Sequence, residues 1–203
     1  MIRRPPRSTL SSSSAASDVY KRQPLNCPLS SITRISLALW TMQSKLVSRY
    51  GSDVILNLIA DEVLAQPQGV FVHRDFHSRN IMIDSNDDLG VIDFQDARCG
   101  SLTYDLVSLL KDCYYEIDDL KRNDLALYFR DTAGMDIDDE TFLRWFDMMG
   151  LQRHIKVLGI FARLYHRDGK DGYLKDIPLT LKYVLEAAEK YSITKDLCDI
   201  LHK

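Results

Sequence analysis

Three short apolar runs surround one dense polar octapeptide, His73 to Asn80, and this arrangement restricts the fold more than any other feature of the sequence. The runs cover residues 70–72, 81–83 and 91–92, and each has the length and β-branched content of a short strand. Helical patterns precede and follow them. The sequence therefore predicts an α+β fold that is predominantly α-helical, with its β structure confined to one region.

Apolar residues at helical spacing define the elements around this region. Ile55, Leu58, Ile59 and Val63 follow the i, i+3, i+4 pattern of one helix face, which ends before Pro67. Gly150 is expected to separate two helices that meet there. Further helices are predicted over 31–49, 105–111, 118–131, 138–149, 151–166, 178–191 and 194–202.

The composition is that of an ordinary soluble chain. The 203 residues are 45% hydrophobic and 27% charged, and the net charge of −3 is too balanced to predict binding to nucleic acid or to an anionic membrane. No apolar run reaches the roughly 18 residues of a membrane-spanning helix. Four cysteines without a C-x-x-C pair indicate free thiols in a reducing compartment. We therefore expect a cytoplasmic monomer.

Residues 1–23 differ in composition from the rest of the chain. They contain five basic residues and one acid, whereas residues 24–203 contain 21 basic and 28 acidic residues, a net charge of −7. The segment resembles the translation of a sequencing-library adapter, so we expect a disordered extension that is foreign to the natural protein. A native targeting or disordered extension is the alternative.

The octapeptide and the hairpin that follows it bring oxygen-bearing side chains together. If 81–84 pairs with 90–93 around the turn 85–88, the numbers of paired residues sum to 173, so Asn80 stands opposite Asp93. Mg²⁺ prefers such oxygen ligands and completes its octahedron with water and phosphate oxygens. Asp75, in the loop entering the hairpin, lies within reach of the same position. A carboxylate there can accept the proton of an attacking hydroxyl.

These residues carry a family resemblance. H-x-D-x-x-x-x-N, followed by a strand that ends in Asp-Phe, resembles the kinase-like catalytic loop, in the form found in the aminoglycoside phosphotransferase family. His77 stands where protein kinases usually carry Lys. The short interval between Asp93 and Tyr104 leaves no room for an activation loop. The resemblance implies a small-molecule kinase that uses ATP as co-substrate and Mg²⁺ as cofactor.

Within that family, residues 43–202 are similar to the bacterial kinases of the anomeric hydroxyl of N-acetylmuramic acid and N-acetylglucosamine, which act in cell-wall recycling. The resemblance implies a sugar substrate, with Asp75 as the catalytic base and Asn80 and Asp93 as the Mg²⁺ ligands. The supporting residues would be His73 and His77 beside the base, and Asp105, which would hold the catalytic loop through backbone contacts.

A kinase of this type also needs an N-terminal lobe that covers the phosphates of ATP. Such a lobe takes roughly 60 residues or more. Residues 24–72 are mostly helical in pattern, and no Gly-rich loop precedes His73. We therefore expect residues 24–203 to be the C-terminal catalytic and substrate lobe of a longer enzyme, inactive when alone.

Several alternatives remain open from the sequence. The chain could be a non-catalytic binding module with a kinase-like fold, or a kinase acting on an aminoglycoside, choline or homoserine. His73 and His77 could form an H-x-D-x-H metal-hydrolase site. Arg98 either contacts substrate or pairs with a nearby acid. Arg163 belongs either to a basic helix end or to a sugar or phosphate contact.

Other prominent side chains have structural interpretations that we prefer. A second His-Arg-Asp at 166–168 lacks the following Asn and is predicted to close a helix. Four aromatic residues are predicted to lie in the core rather than to stack on a sugar: Trp40, Trp145, Phe142 and Phe146. Six acids are assigned to helix N-termini and solvated faces rather than to a cation site: Asp118, Asp119, Asp136, Asp138, Asp139 and Glu140.

Overall fold

The computed structural model of the chain describes residues 53–195 together with 197 and 198. The predictions for residues 1–23 and for the helix over 31–49 lie outside the described residues, as does most of the helix predicted over 194–202. The helices are α1 (Asp53–Ala65), α2 (Tyr104–Leu110), α3 (Asp119–Thr132), α4 (Asp139–Asp168) and α5 (Ile177–Lys190). The strands are β1 (Val70–Val72), β2 (Ile81–Ile83), β3 (Leu89–Val91) and β4 (Arg98–Gly100). Single 3₁₀ turns cover Ser78–Asn80, Leu174–Asp176 and Ser192–Thr194.

The mostly helical architecture with small sheets confirms the predicted α+β class. Helix α4 packs against α1, α2, α3 and α5. It therefore divides the buried apolar residues into two clusters. One joins α1, α4, α5 and the described end of the chain: Ile55, Ile59, Met148, Leu151, Val184, Ala187, Ala188, Leu197 and Cys198. The other joins α1, α2, α3 and α4: Val63, Val107, Leu110, Ala126, Phe142, Phe146 and Met149. No described helix has the length and apolarity that crossing a membrane requires.

Helix α4 corrects the prediction of two helices meeting at Gly150. The helix is continuous over 30 residues. Glycine costs a helix interior about 1 kcal/mol relative to alanine, which tertiary packing readily outweighs. A Cβ at position 150 would lie 3.3 Å from Lys111 Nζ, so the missing side chain makes room for a buried lysine. The helix ends instead at Gly169, whose φ of +65° is the left-handed conformation that stops helices.

Helix α1 confirms most of its predicted apolar face. Ile55, Ile59 and Val63 are buried, as the spacing predicts. Leu58 is 37% exposed, so its assignment to that face is wrong. Residues 55, 59 and 63 repeat every four positions, and position 58 falls at the edge of this stripe, where the described chain does not cover it.

Two antiparallel strand pairs frame the polar octapeptide. Strands β1 and β4 pair in the register Val70↔Gly100 to Val72↔Arg98, and β2 pairs with β3. Strand β4 was not predicted from the sequence. Its residues Arg-Cys-Gly show no strand pattern, and they become a strand because β1 offers free backbone groups to pair with.

The hairpin register differs by one residue from the prediction. The observed pairs run from Ile81↔Val91 to Ile83↔Leu89, so the numbers sum to 172 rather than 173. Three residues form the loop rather than four: Asp84 N donates to Asp88 O at 3.0 Å, and Asp87 adopts a left-handed φ of +63°. Accordingly Ile92, not Asp93, stands across from Asn80, whose carbonyl accepts from Ile92 N at 3.0 Å.

Candidate active site

The octapeptide forms a tight loop between β1 and β2. His77 N donates to Asp75 O at 3.1 Å, and Asn80 N donates to His77 O at 2.9 Å, which closes the 3₁₀ turn leading into β2. Arg74 has a φ of +78°, a conformation that costs a residue with a side chain of the order of 1–3 kcal/mol. Such a conformation persists only where neighbouring groups hold it.

The carboxylate of Asp105, at the start of α2, holds Arg74 in this conformation. Its Oδ2 accepts from His73 N at 2.6 Å, and its Oδ1 accepts from Arg74 N at 3.0 Å. Burial raises the pKa of the Asp105 carboxyl, and the two backbone N–H groups oppose that rise. The backbone contacts predicted for Asp105 are therefore present in the structure.

His73 connects the loop to the end of the hairpin. The buried ring donates from Nε2 to the carbonyl of Ile92 at 3.0 Å, immediately before Asp93. Because its backbone N–H is held by Asp105, His73 links α2 to the hairpin across the loop. Its ring makes an edge contact with Phe76, whose centroid lies 5.9 Å away.

The backbone hydrogen bond between Asn80 and Ile92 places Asp93 one residue beyond the position across from Asn80. Asn80 is buried, and its Nδ2 donates to Asp75 O at 2.9 Å, which leaves the amide oxygen as its free ligand atom. Asp93 is exposed, has a φ of +70°, and accepts from Gln95 Nε2 at 2.5 Å through Oδ1. One amide oxygen and one solvated carboxylate fit Mg²⁺, which keeps several waters and uses few protein ligands.

A second carboxylate that the sequence analysis missed holds the other end of the loop. Asp112 is almost fully buried; its Oδ2 accepts from Ser78 N at 2.8 Å, and its Oδ1 accepts from Tyr114 N at 2.8 Å. Asp112 lies just beyond the end of α2, whereas Asp105 lies in its first turn. The signal available in the sequence was a pair of acids, one at each end of the short helix that follows the motif.

His77 is packed rather than exposed to solvent. Its ring meets the edge of Tyr114 at a centroid distance of 5.3 Å, and the guanidinium of Arg79 lies 3.4 Å from the same tyrosine ring. Desolvation lowers the pKa of His77, and the charges of Asp112 and Asp75 oppose this effect. The buried Nδ1 of His77 has no hydrogen-bond partner among the described residues.

Arg98 and Arg163 lie on different elements, and both are exposed. Arg98 begins β4, opposite Val72, and Arg163 lies in the C-terminal part of α4. No contact in the described structure joins either side chain to the octapeptide. Arg167, near the end of α4, forms an ion pair with Asp168 at 2.7 Å, and the second His-Arg-Asp closes that helix as predicted.

The structural interpretations of the aromatic and acidic residues hold where the structure describes them. Phe142 and Phe146 are fully buried core residues, Trp145 is half-buried, and Trp40 lies outside the described residues. The side chains of Asp118 and Asp138 cap α3 and α4 by accepting from backbone N–H groups. Among the described residues, no group of three or more His, Cys, Asp or Glu side chains could hold a metal.

Comparison with known proteins identifies a family that the motif had already indicated. A family model described as the phosphotransferase enzyme family matches residues 32–146, more than half of the chain. This match confirms the resemblance drawn from the octapeptide and the Asp-Phe strand.

Similar curated proteins share one name. An N-acetylmuramate/N-acetylglucosamine kinase of Neisseria meningitidis is 47% identical over 135 residues, which is 64% of this chain and 40% of that protein. Proteins of the same name from Pseudomonas aeruginosa and Pseudomonas putida are 41% and 44% identical, over 72% and 65% of this chain and 44% and 40% of their own lengths. The chain thus spans less than half the length of the curated relatives it matches.

Proposed function

The chain belongs to the phosphotransferase enzyme family, and on this premise we propose that its described residues form the catalytic and substrate lobe of an ATP-dependent kinase that phosphorylates an amino-sugar hydroxyl. The observation that carries the proposal is the octapeptide loop fixed at both ends by Asp105 and Asp112. The names of the relatives support N-acetylmuramate and N-acetylglucosamine as acceptors. We propose peptidoglycan recycling in the cytoplasm as the context, on the family resemblance and the unpaired cysteines of the sequence.

Asp75 is the residue we assign as the base. Its backbone carbonyl accepts from His77 N and from Asn80 Nδ2, so the loop is braced around it while its side chain is half-exposed. As the acceptor oxygen bonds to the γ-phosphorus of ATP, the bond to the β–γ bridging oxygen breaks and ADP leaves. Asp75 orients the attacking hydroxyl and takes its proton.

Asn80 and Asp93 are the residues we assign as Mg²⁺ ligands. When bound, Mg²⁺ neutralises phosphate charge and positions the γ-phosphate. The donation from Asn80 Nδ2 to the Asp75 carbonyl leaves its amide oxygen available as a ligand. His73 keeps the start of the Asp93 segment in place through the Ile92 carbonyl.

The catalytic assignment is tested in a chimera, because the alignments cover less than half of each relative. The matched 135-residue segment of the Neisseria meningitidis protein is replaced by that of this chain, and phosphorylation of N-acetylmuramate and N-acetylglucosamine is followed. Asp75→Asn is expected to lower kcat by about 10²- to 10⁴-fold, the range of general-base contributions. Asp88→Asn is the matched control and should retain full activity, because Asp88 is an exposed acid that directly follows the hairpin loop.

The same assay separates this proposal from the alternatives. Unchanged turnover in Asp75→Asn would exclude the catalytic role, and a chimera that binds sugar but never phosphorylates it would support the non-catalytic module. Turnover with an aminoglycoside, choline or homoserine but with neither sugar would change the acceptor class. ATP-dependent phosphorylation by the purified 203-residue chain alone would contradict the assignment of nucleotide binding to a further lobe.

A further inference from the structure

Arg153, in the middle of α4, is a buried cation with few partners. The residue is only 6% exposed. Its Nη1 has one contact, with Cys113 Sγ at 3.9 Å, and its buried Nε has no hydrogen-bond partner among the described residues. A guanidinium carries five donors and keeps its charge at all relevant pH values, so this burial leaves much of its binding capacity unused.

No carboxylate of the described side chains lies within 4.0 Å of the Arg153 guanidinium. Arg122 provides the comparison, since it is 5% exposed and equally deep in the protein. Its Nη2 pairs with Asp119 at 2.6 Å and with Glu186 at 3.2 Å, and its guanidinium lies 5.0 Å from the Tyr183 ring. Buried charges in proteins are normally paired in this way. Nε and Nη1 of Arg122 also have no hydrogen-bond partner among the described residues. The difference between the two arginines is therefore that Arg122 has carboxylate partners and Arg153 has none among the described side chains.

The rest of the chain offers few carboxylates to fill this role. Outside the described side chains, the acidic residues are Asp18, Asp53, Asp196 and Asp199. Asp18 belongs to the Ser-rich segment with foreign composition. Besides the three remaining acids, an anion supplied by a bound ligand has the charge that Arg153 needs in a partner.

Arg153 is also close to the catalytic loop. It contacts Cys113, the neighbour of Asp112, and the Asp112 carboxylate accepts from Ser78 N in the loop. Burial is the main cause of the lowered pKa of His77, and the Arg153 charge lowers it further. Burial raises the pKa of Asp105, and the Arg153 charge opposes that rise. The guanidinium therefore lies near the loop that carries Asp75.

We propose that Arg153 recognises the carboxylate of the acceptor, the lactyl group by which N-acetylmuramate differs from the neutral N-acetylglucosamine. This inference rests on the function proposed above, and it names the residue that distinguishes the two acceptors. A guanidinium binds a carboxylate through two parallel hydrogen bonds, and the unpartnered Nε is one of the donors that this geometry uses. The neutral sugar leaves Arg153 without an anion, so its binding does not depend on this residue.

The experiment measures sugar binding to the 203-residue chain by calorimetry at neutral pH, together with the NMR signals of ¹⁵N-labelled arginine side chains. We expect N-acetylmuramate to bind about 10- to 100-fold more tightly than N-acetylglucosamine, which is the range for a hydrogen bond to a charged group. N-acetylmuramate should shift the Nε–H signal of Arg153, identified by its loss in Arg153→Lys. N-acetylglucosamine should leave that signal in place.

Arg153→Gln is expected to reduce the preference to within about twofold while leaving N-acetylglucosamine binding unchanged. Arg122→Gln is the matched control, because it removes an equally buried arginine that already has carboxylate partners. This control should retain the preference even if it lowers stability. Should Arg153→Gln fail to fold, the NMR titration of the unaltered chain and the weakened preference expected of Arg153→Lys decide the question.

The outcomes distinguish the two proposals. If both sugars bind with equal affinity, or if Arg153→Gln keeps the preference, the inference about Arg153 is overturned while the proposed function stands. The same holds if N-acetylmuramate binds without moving the Arg153 signal. If neither the chain nor the chimera described above binds either sugar, the amino-sugar assignment fails and the role of Arg153 fails with it.

Discussion

Replacing Asp105 by asparagine tests how firmly α2 holds the catalytic loop. Each oxygen of the carboxylate accepts one backbone N–H, from His73 at 2.6 Å and from Arg74 at 3.0 Å. An amide has only one oxygen. The Asp105→Asn variant therefore keeps one hydrogen bond and turns an N–H₂ group toward the other backbone donor.

The cost of this change follows from those two bonds. A hydrogen bond to a charged group contributes about 1.5–3 kcal/mol, and a buried donor left without an acceptor costs about 1–3 kcal/mol. The loss of a poorly solvated charge offsets part of this, because burial raises the pKa of Asp105 and so disfavours its charged form. We expect Asp105→Asn to lower the free energy of unfolding by about 2–4 kcal/mol.

Urea unfolding followed by circular dichroism measures this loss, and amide hydrogen exchange at His73 and Arg74 localises it. Asp118→Asn is the matched control, since Asp118 also accepts from two backbone N–H groups, of Leu120 and Lys121, but is exposed. Asp and Asn are equivalent at helix N-caps, so the control should change stability by less than about 0.5 kcal/mol. An equally small effect of Asp105→Asn, with unchanged exchange at His73 and Arg74, would refute the reasoning.

Two further predictions concern buried charges around α4. Asp147 accepts from Lys111 at 2.8 Å, from Lys190 at 2.7 Å and from Tyr191 at 2.8 Å. Asp147→Ala leaves Lys111 buried without a carboxylate and should cost about 3–5 kcal/mol in thermal or urea unfolding. Lys111→Met leaves Asp147 two partners and should cost clearly less; equal costs would contradict this asymmetry. Burial lowers the pKa of His154 from 6.5 to about 3. In this pH range His154 binds a proton in the unfolded chain but not in the folded protein. The free energy of unfolding therefore falls as pH drops from about 6.5 toward 3. Between about pH 7.5 and about pH 5.5 this contribution is about 1.4 kcal/mol. Denaturation at both pH values should show a smaller loss in His154→Gln by this amount, and equal losses would exclude the role of His154.

The elements that the sequence predicted well are those with a local cause. The stripe on α1 and the limits of α2, α3 and α5 follow from apolar spacing, and the position of the octapeptide between a strand and a hairpin follows from its flanking runs. The departures have tertiary causes. Gly150 does not break α4 because Lys111 packs against it, and Arg98–Gly100 is a strand only because β1 lies beside it.

The residues of the candidate site likewise separate into those that a local motif predicts and those that only the fold brings together. The motif predicts Asp75, Asn80 and Asp105 as site residues without three-dimensional information, because the family pattern has fixed spacing. The hairpin register could not be derived, since it depends on whether Asp87 adopts a left-handed conformation, and that choice moved the predicted pairing by one residue. Asp112 and Arg153 belong to no motif, and only the fold brings them to the loop.

The two anchors on α2 have a geometric consequence. Asp105 and Asp112 hold the loop at His73–Arg74 and at Ser78, so the span between the two fixed points is set by the length of the helix between them. At about 1.5 Å per residue, about seven residues correspond to roughly 10 Å. Val107 and Leu110 of the same helix are buried in the core beside Phe142 and Phe146. The core therefore holds the helix in place, and the helix fixes the distance between the two points at which the loop is anchored. Insertion of a single residue into α2 would change the distance between Asp105 and Asp112 and would turn one of these two side chains away from the loop.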